Sequence, residues 1–289
     1  VSILLGCIAD DFTGATDLAN NLVRHGMRVA QTIGVPVNQL DADSDCVVVA
    51  LKSRTIPPEE AVRQSLEALH WLLEQGAQQI YFKYCSTFDS TDKGNIGPVT
   101  EALMKALKTD FTIATPAFPD NGRTVFKGHL FVGDMLLNES SMRNHPLTPM
   151  TDANLVRVLQ AQSKGLVDLI DYQVVAKGVD AIDSRMKELK AADVSIAIVD
   201  AISNDDLYRM GPALKDLRLV TGGSGLAIGL PKNFSIDADS KASALPPASG
   251  YEAILSGSCS EASNQQVAHF IQWGGSAYAI NPIDLISKE

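Results

Sequence analysis

Apolar residues along this chain follow two alternating rhythms. Unbroken runs such as Ile3-Leu4-Leu5-Gly6-Cys7-Ile8 and Cys46-Val47-Val48-Val49-Ala50-Leu51 are bounded by polar residues, the pattern of strands covered on both faces. Between them, apolar positions recur three and four apart. Leu18, Ala19, Leu22 and Val23 mark a helix over residues 16–25 that stops at Gly26, and Val62, Leu66, Leu69 and Leu73 mark another that starts at Pro57-Pro58 and runs to Glu74. Further strands are predicted at 29–33, 79–82, 111–114, 166–170, 195–199 and 218–221. Further helices are predicted after Gly94-Asn95-Ile96-Gly97, with Val99, Leu103 and Leu107 inward, and at 153–160, 181–191 and 205–217. Such alternation predicts an α/β fold, a mostly parallel open sheet with right-handed crossovers and flanking helices.

The rhythm breaks twice. From Thr115 to Met150, Pro116, Pro119, Gly122, Gly128, Gly133, Pro146 and Pro149 predict a long irregular insertion. Residues 231–250 lose the apolar period and read as a linker, which divides the chain into a first α/β domain at 1–230 and the beginning of a second at 251–289. That second part is expected to hold a strand at 253–255, a turn at 256–260, a helix at 262–273 with Val267, Phe270 and Ile271 inward, and a strand at 277–280. Two strands and one helix fall short of the roughly 50 residues of an independent domain.

Composition narrows the class. A chain of 289 residues with 45% hydrophobic content can bury a sizeable core. Its 24 basic and 34 acidic residues give a net charge of −10 without long runs of one sign, which argues against a nucleic-acid surface. No apolar run approaches the roughly 20 residues that span a bilayer, and the start is strand-like, so no membrane partner and a cytoplasmic location are expected. Cys7, Cys46, Cys85 and Cys259 are far apart, mostly in or beside apolar runs and without a C-x-x-C pair, and are expected as buried free thiols. The five histidines show no metal-ligand spacing, so no protein metal site is assigned.

Candidate chemistry gathers at predicted strand ends. Asp10-Asp11 follows the first strand, Lys52-Ser53-Arg54 the third, Lys83 through Asp89 the fourth, and Asp200 a later one. In a parallel sheet these ends share one rim, where ligands bind. Arg54 can hold a carboxylate in two prongs, Lys83 adds a point charge, and Ser86 and Thr87 can bond sugar hydroxyls. The plainer readings are that Asp11 or Thr13 caps a helix and that Lys52 and Lys83 are surface residues, although two adjacent Asp residues exceed what one cap needs. Gly222-Gly223-Ser224-Gly225 and Ser256-Gly257-Ser258 each follow a strand, where free N–H groups can cradle phosphate. Neither matches the Walker or dinucleotide pattern. An Asp-x-Asp phosphatase is disfavoured because Phe12 follows two places after Asp10, and Ser-His-Asp catalysis lacks its G-x-S-x-G elbow.

In order along the chain stand A-D-D-F-T-G-A-T-D, L-K-S-R, F-K-Y-C-S-T-F-D-S-T-x-x-G-N-I-G, P-A-F-P-x-N-G-R-T, G-H-L-F-V-G-D, N-H-P-L-T-P-M, V-T-G-G-S-G-L and L-S-G-S-C-S. From Ile8 to about Ser260 this set resembles the four-carbon acid sugar kinase family. The resemblance implies ATP-dependent phosphorylation of the 4-hydroxyl of a 3-oxo four-carbon sugar acid in carbohydrate acid catabolism. It implies an N-terminal domain for the sugar acid and a C-terminal domain for the nucleotide. Asp10, Asp11, Arg54, Lys83, Tyr84, Cys85 and Ser86 would then be sugar-site residues, and Ser256, Gly257 and Ser258 the first nucleotide contact.

Asp10 or Asp11 would be the carboxylate near the attacking hydroxyl, with Mg2+ on the phosphates of ATP. Family members continue for more than a hundred residues with further G-G-x-T-S-G motifs, and none follows Trp273 here, so 251–289 is expected to be an opening segment of the nucleotide domain. The expected partners are the sugar acid and ATP, and a homodimer is compatible with the chain. Two alternatives stay open: a sugar-acid-binding module without catalysis, and a lyase or isomerase using the same acids as bases.

Overall fold

The computed structural model describes residues 3–38, 43–88, 91–145, 147–238, 249–257 and 261–281. The chain divides into two compact units, Val1–Ala244 and Leu245–Glu289. In the first, β1 (Leu5–Ala9), α1 (Phe12–Arg24), β2 (Val29–Ile33), β3 (Cys46–Ala50), α2 (Pro58–Glu74), β4 (Gln79–Lys83), α3 (Ile96–Leu107) and β5 (Thr112–Thr115) alternate as predicted. Three short strands follow, β6 (Arg123–Phe126), β7 (His129–Val132) and β8 (Met135–Leu136). The alternation then resumes with α4 (Leu155–Gln162), β9 (Leu166–Ile170), α5 (Tyr172–Val175), α6 (Val179–Ala191), β10 (Val194–Val199), α7 (Asn204–Met210) and β11 (Leu219–Gly222).

Eight strands form one sheet in the order β2-β3-β1-β4-β11-β5-β10-β9, and each neighbouring pair is parallel. All residues of β1, β3, β4 and β5 are buried, which explains their unbroken apolar runs, whereas the edge strand β2 is only partly covered. Helix α1 sinks Ala15, Leu18 and Leu22 into the sheet. Each buried leucine contributes roughly 1.5–3 kcal/mol. The helix begins at Phe12, earlier than the apolar period alone predicts, because Asp11 accepts the Gly14 N–H and caps it. Cys7 and Cys46 lie in this core as thiols 3.6 Å apart, and burial pushes the Cys7 thiol well above its ordinary pKa. Cys85 is a half-buried thiol rather than a core one, and Cys259 lies outside the described residues.

Several expectations are corrected. The insertion at 115–150 is not irregular throughout: β6, β7 and β8 pair as an antiparallel sheet. Its first hairpin turns at Lys127-Gly128, both with positive φ, where a sequence reading looks for Asn-Gly or Asp-Gly. The predicted helix 205–217 ends at Met210 and gives way to a 3-10 turn, Gly211–Leu214, at Pro212. Gly222–Gly225 leads into another 3-10 turn, Gly225–Gly229, rather than an α-helix. Pro231–Phe234 forms a third, with Pro231 buried, so the first unit extends past residue 230.

In the second unit the one helix is α8 (Glu261–Gln272) among the described residues. Residues 253–255 and 277–280 form no strand, and Ile254, Leu255, Tyr278 and Ile280 are exposed. Val267, Phe270 and Ile271 are 36%, 44% and 49% exposed rather than buried. A strand is stable only with a ladder to join, and among the described residues of this unit none is formed.

Candidate functional site

The site forms where the chain changes direction across the sheet. From β1 it passes to β3 on one side and returns to β4 on the other, with Ala9 in register with Ala50 and with Lys83. Such a switch point opens a crevice at the carboxyl ends of the strands. Backbone bonds fix what emerges there. The Asp10 N–H donates to the Lys83 carbonyl at 3.1 Å, and the Asp10 carbonyl accepts the N–H groups of Ser53 and Arg54 at 2.9 and 3.2 Å.

The side chains then converge. Arg54 Nε donates to Asp10 Oδ2 at 2.9 Å and Nη2 to Asp10 Oδ1 at 2.8 Å, a two-pronged pair, while Nη2 also donates to Asp11 Oδ1 at 2.5 Å. Asp11 Oδ1 further accepts the Gly14 N–H at 3.1 Å and the Lys83 ammonium at 3.5 Å. Lys83 is 3% exposed, so the surface reading fails for it and holds for Lys52, which is exposed. Gly14 makes room for this amine: a Cβ there would sit 1.7 Å from Lys83 Nζ.

Burial pushes the Asp10 carboxyl above its ordinary pKa, and Arg54 followed by Lys83 pulls it part of the way back. Burial disfavours the Arg54 charge, but the hydrogen bonds and attraction of Asp10, joined by Cys85 and Asp11, together outweigh it and its pKa is raised. The guanidinium therefore stays charged at any physiological pH.

Beside this cluster lies a small cavity lined by Asp10, Ser53, Arg54, Phe82, Cys85, Asn95, Ile96 and Val99. Asn95 is a site residue that the sequence reading passed over. It stands at the start of α3 but makes no cap bond. Its Nδ2 instead reaches the carbonyls of Ser53, Arg54 and Ile56 at 2.8, 3.2 and 2.9 Å and holds the loop that carries Arg54. The signal was present in Gly94-Asn95-Ile96-Gly97, read only as a helix start. Gly14 lies within the A-D-D-F-T-G-A-T-D segment, where nothing local marks it as the residue that admits the Lys83 amine.

Other predicted residues are placed differently. Tyr84 is wholly buried, bonded through its hydroxyl to Thr221 Oγ1 and packed edge-on against Phe82 and Phe88, so its side chain supports the site from the core. Burial pushes its phenol above the ordinary value. The Cys85 thiol lines the cleft with Thr87 Oγ1 2.9 Å away, Thr87 is buried and Ser86 half-buried.

Gly222, Gly223 and Ser224 are buried, which corrects their reading as a phosphate cradle. The Gly223 N–H is bonded to Thr115, the Gly223 carbonyl accepts the Tyr81 hydroxyl, and Ser224 Oγ donates to Asp17. A Cβ at Gly222 would lie 2.7 Å from the Tyr81 oxygen, so this glycine serves close packing. Ser256 and Gly257 are exposed in the second unit, and Ser258 and Asp89 lie outside the described residues.

Asp200 is a further correction, since it does not join the cluster. Its strand β10 is separated from β4 by β11 and β5, and its carboxylate accepts the N–H groups of Lys127, Gly128 and Tyr172 at 2.7, 2.8 and 2.8 Å.

A charged cluster beside a small cavity, at the switch point of a parallel α/β sheet, occupies the position where such sheets bind small ligands. Residues 5–230 match the model of the sugar-binding N-terminal domain, and the chain belongs to that family, within the four-carbon acid sugar kinases. A 3-oxo-tetronate kinase of Pseudomonas savastanoi pv. phaseolicola is 59% identical over 291 residues, covering 98% of this chain and 67% of that protein. A crystal structure from Salmonella typhimurium LT2 is 49% identical with a TM-score of 0.87, covering 94% of this chain and 65% of that one. A Bordetella bronchiseptica structure with bound citrate, a domain-swapped dimer, is 26% identical with a TM-score of 0.68, covering 80% of this chain and 56% of that one. The chain thus spans about two thirds of the length of its nearer relatives.

Proposed function

We propose that this chain supplies the sugar-acid site of an ATP-dependent kinase that phosphorylates the 4-hydroxyl of a 3-oxo-tetronate. The carrying observation is Arg54, clamped by Asp10 at the edge of a small cavity with its Nη1 still available to an anion. Its guanidinium takes the carboxylate of the sugar acid, and Cys85, Ser86 and Thr87 border the hydroxyl-bearing carbons. Asp11 is the proton acceptor for the 4-hydroxyl, since it is half-exposed at the mouth of the cluster, whereas both oxygens of buried Asp10 are committed to Arg54. The citrate held by the Bordetella relative supports a carboxylate ligand.

The phosphoryl donor is ATP, as the names of the kinase relatives imply, and the nucleotide side of the reaction belongs to residues from 251 onward. Asp10 and Asp11 do not suit a protein-held Mg2+, because Arg54 and Lys83 together already balance their two charges. Mg2+ would instead be held by the nucleotide phosphates. No helix among the described residues is long and apolar enough to cross a membrane, and we place the reaction in the cytoplasm on the likeness to metabolic kinases. A homodimer agrees with the dimer of the Bordetella relative.

Calorimetry on this chain tests the reading, with saturable binding of 3-oxo-tetronate expected. A coupled assay on a version carrying the complete nucleotide domain is expected to show ATP turnover only when the sugar acid is present. Turnover of the acid without ATP would transfer the reading to a lyase or isomerase.

A further inference from the structure

The five N–H donors of Arg54 are not used evenly. A guanidinium has two edges that each match a carboxylate. On this one, the edge formed by Nε and Nη2 is filled by Asp10, at 2.9 and 2.8 Å. The second edge, formed by Nη2 and Nη1, is half-filled: Nη2 reaches Asp11 Oδ1, and Nη1 has no partner among the described residues. Asp11, unlike Asp10, has other support, from the Gly14 N–H at 3.1 Å and Lys83 at 3.5 Å. The Lys83 ammonium, nearly buried, makes a long ion pair with Asp11 at 3.5 Å.

We propose that the carboxylate of the sugar acid exchanges with Asp11 on this second edge. The incoming anion takes Nη1 and Nη2 together, and Asp11 falls back on Lys83 and the cap of α1 with one Oδ1 bond fewer. Three ion pairs are rearranged and no covalent bond changes. The consequence is a selectivity device: an acidic four-carbon sugar frees Asp11 to face its hydroxyl, and a neutral one leaves Asp11 locked on Arg54. This rests on the reading that the cleft takes a sugar acid.

Calorimetry on the full chain separates the two claims, with 3-oxo-tetronate as the acid and erythrulose, which carries a hydroxymethyl in place of the carboxylate, as the neutral counterpart. Asp11→Asn keeps the cap, since Asn caps helices as well as Asp does. It is expected to bind 3-oxo-tetronate about tenfold tighter, because a neutral amide oxygen competes for Nη2 less strongly than a carboxylate by about one charge-assisted hydrogen bond, with erythrulose unchanged. Asp17→Asn, which removes a charge from the same helix that touches Ser224 and not Arg54, is expected to gain less than about twofold by screened long-range attraction alone. In an Arg54→Lys background, Asp11→Asn is expected to bring no gain, because a single ammonium has no second edge. Equal or weaker acid binding by Asp11→Asn, or an equal gain from Asp17→Asn, overturns the exchange while leaving the sugar-acid reading standing. No binding of 3-oxo-tetronate by the parent chain overturns both.

Discussion

Asp10 and Asp200 are matched in almost everything except their partners. Each follows a strand of the same parallel sheet, each is buried, and burial pushes each carboxyl above its ordinary pKa. Asp200 spends its oxygens on three backbone N–H groups, which tie the β6–β7 turn and the start of α5 to the end of β10. Asp10 spends its oxygens on the side chain of Arg54, whose other donors face a cleft and a second carboxylate. Backbone donors cannot leave, so the first arrangement is a pin. A guanidinium on a loop can share its donors with a ligand, so the second can bind. A buried acid at a strand end is therefore not itself a mark of function, and what satisfies it decides.

The contrast can be broken from either side. Arg54→Ala should have the largest effect, because it strips both oxygens of buried Asp10 of their hydrogen-bonded counter-ion and leaves only the more distant Lys83: a loss of about 3 kcal/mol of stability by chemical denaturation, together with loss of measurable sugar-acid binding. Asp200→Ala should lower stability by on the order of 3 kcal/mol through the freed N–H groups. Its surviving folded fraction should bind the acid with unchanged affinity, and a parallel loss of affinity would show that the two rims are one site.

Gly14→Ala should act more gently and in the opposite sense to Asp200→Ala. A Cβ 1.7 Å from Lys83 Nζ and 2.3 Å from Asp11 Oδ1 pushes the two apart, and acid affinity should fall roughly tenfold, about one charge-assisted bond, with a stability loss of about 1 kcal/mol from the strained cap.

The smallest effect concerns pH. The folded pKa of Asp200 is raised, so the folded state holds a proton that the unfolded chain has released. Its contribution to stability is full below the ordinary carboxylate value near 3.9 and declines as pH rises through the raised folded value. Denaturation midpoints measured upward from pH 4 should show this decline in the parent chain and a flatter profile in Asp200→Asn. A steeper profile in the variant would mean that Asp200 is ionised throughout.

Much of this was legible along the chain, and the reasons differ from place to place. The runs at β1, β3 and β4 announced themselves because strands buried on both faces need apolar residues at every position. Asp10, Asp11, Arg54 and Lys83 stood out because charged residues directly after such runs must lie at one rim. The β6–β8 sheet was hidden by proline and glycine that mark its turns and by strands of four residues or fewer. Asn95 was hidden because an Asn before a helix is ordinarily a cap, and nothing local says that its amide will reach back some forty residues to Ser53. The glycines at 222 and 223 look the same on paper whether their N–H groups await a phosphate or pack under Tyr81.

By itself, then, the sequence determined the α/β class, the alternation of elements and the rim on which charged side chains collect, since periodicity and polarity are local and additive along a chain. Tertiary structure decided which of those charges meet. Strand order sets Asp10, Arg54 and Lys83 on three adjacent strands and carries Asp200 three strands away from β4. Whether a buried charge is a binding group or a pin depends on the donors within about 3 Å of it, and those come from parts of the chain that only folding brings together.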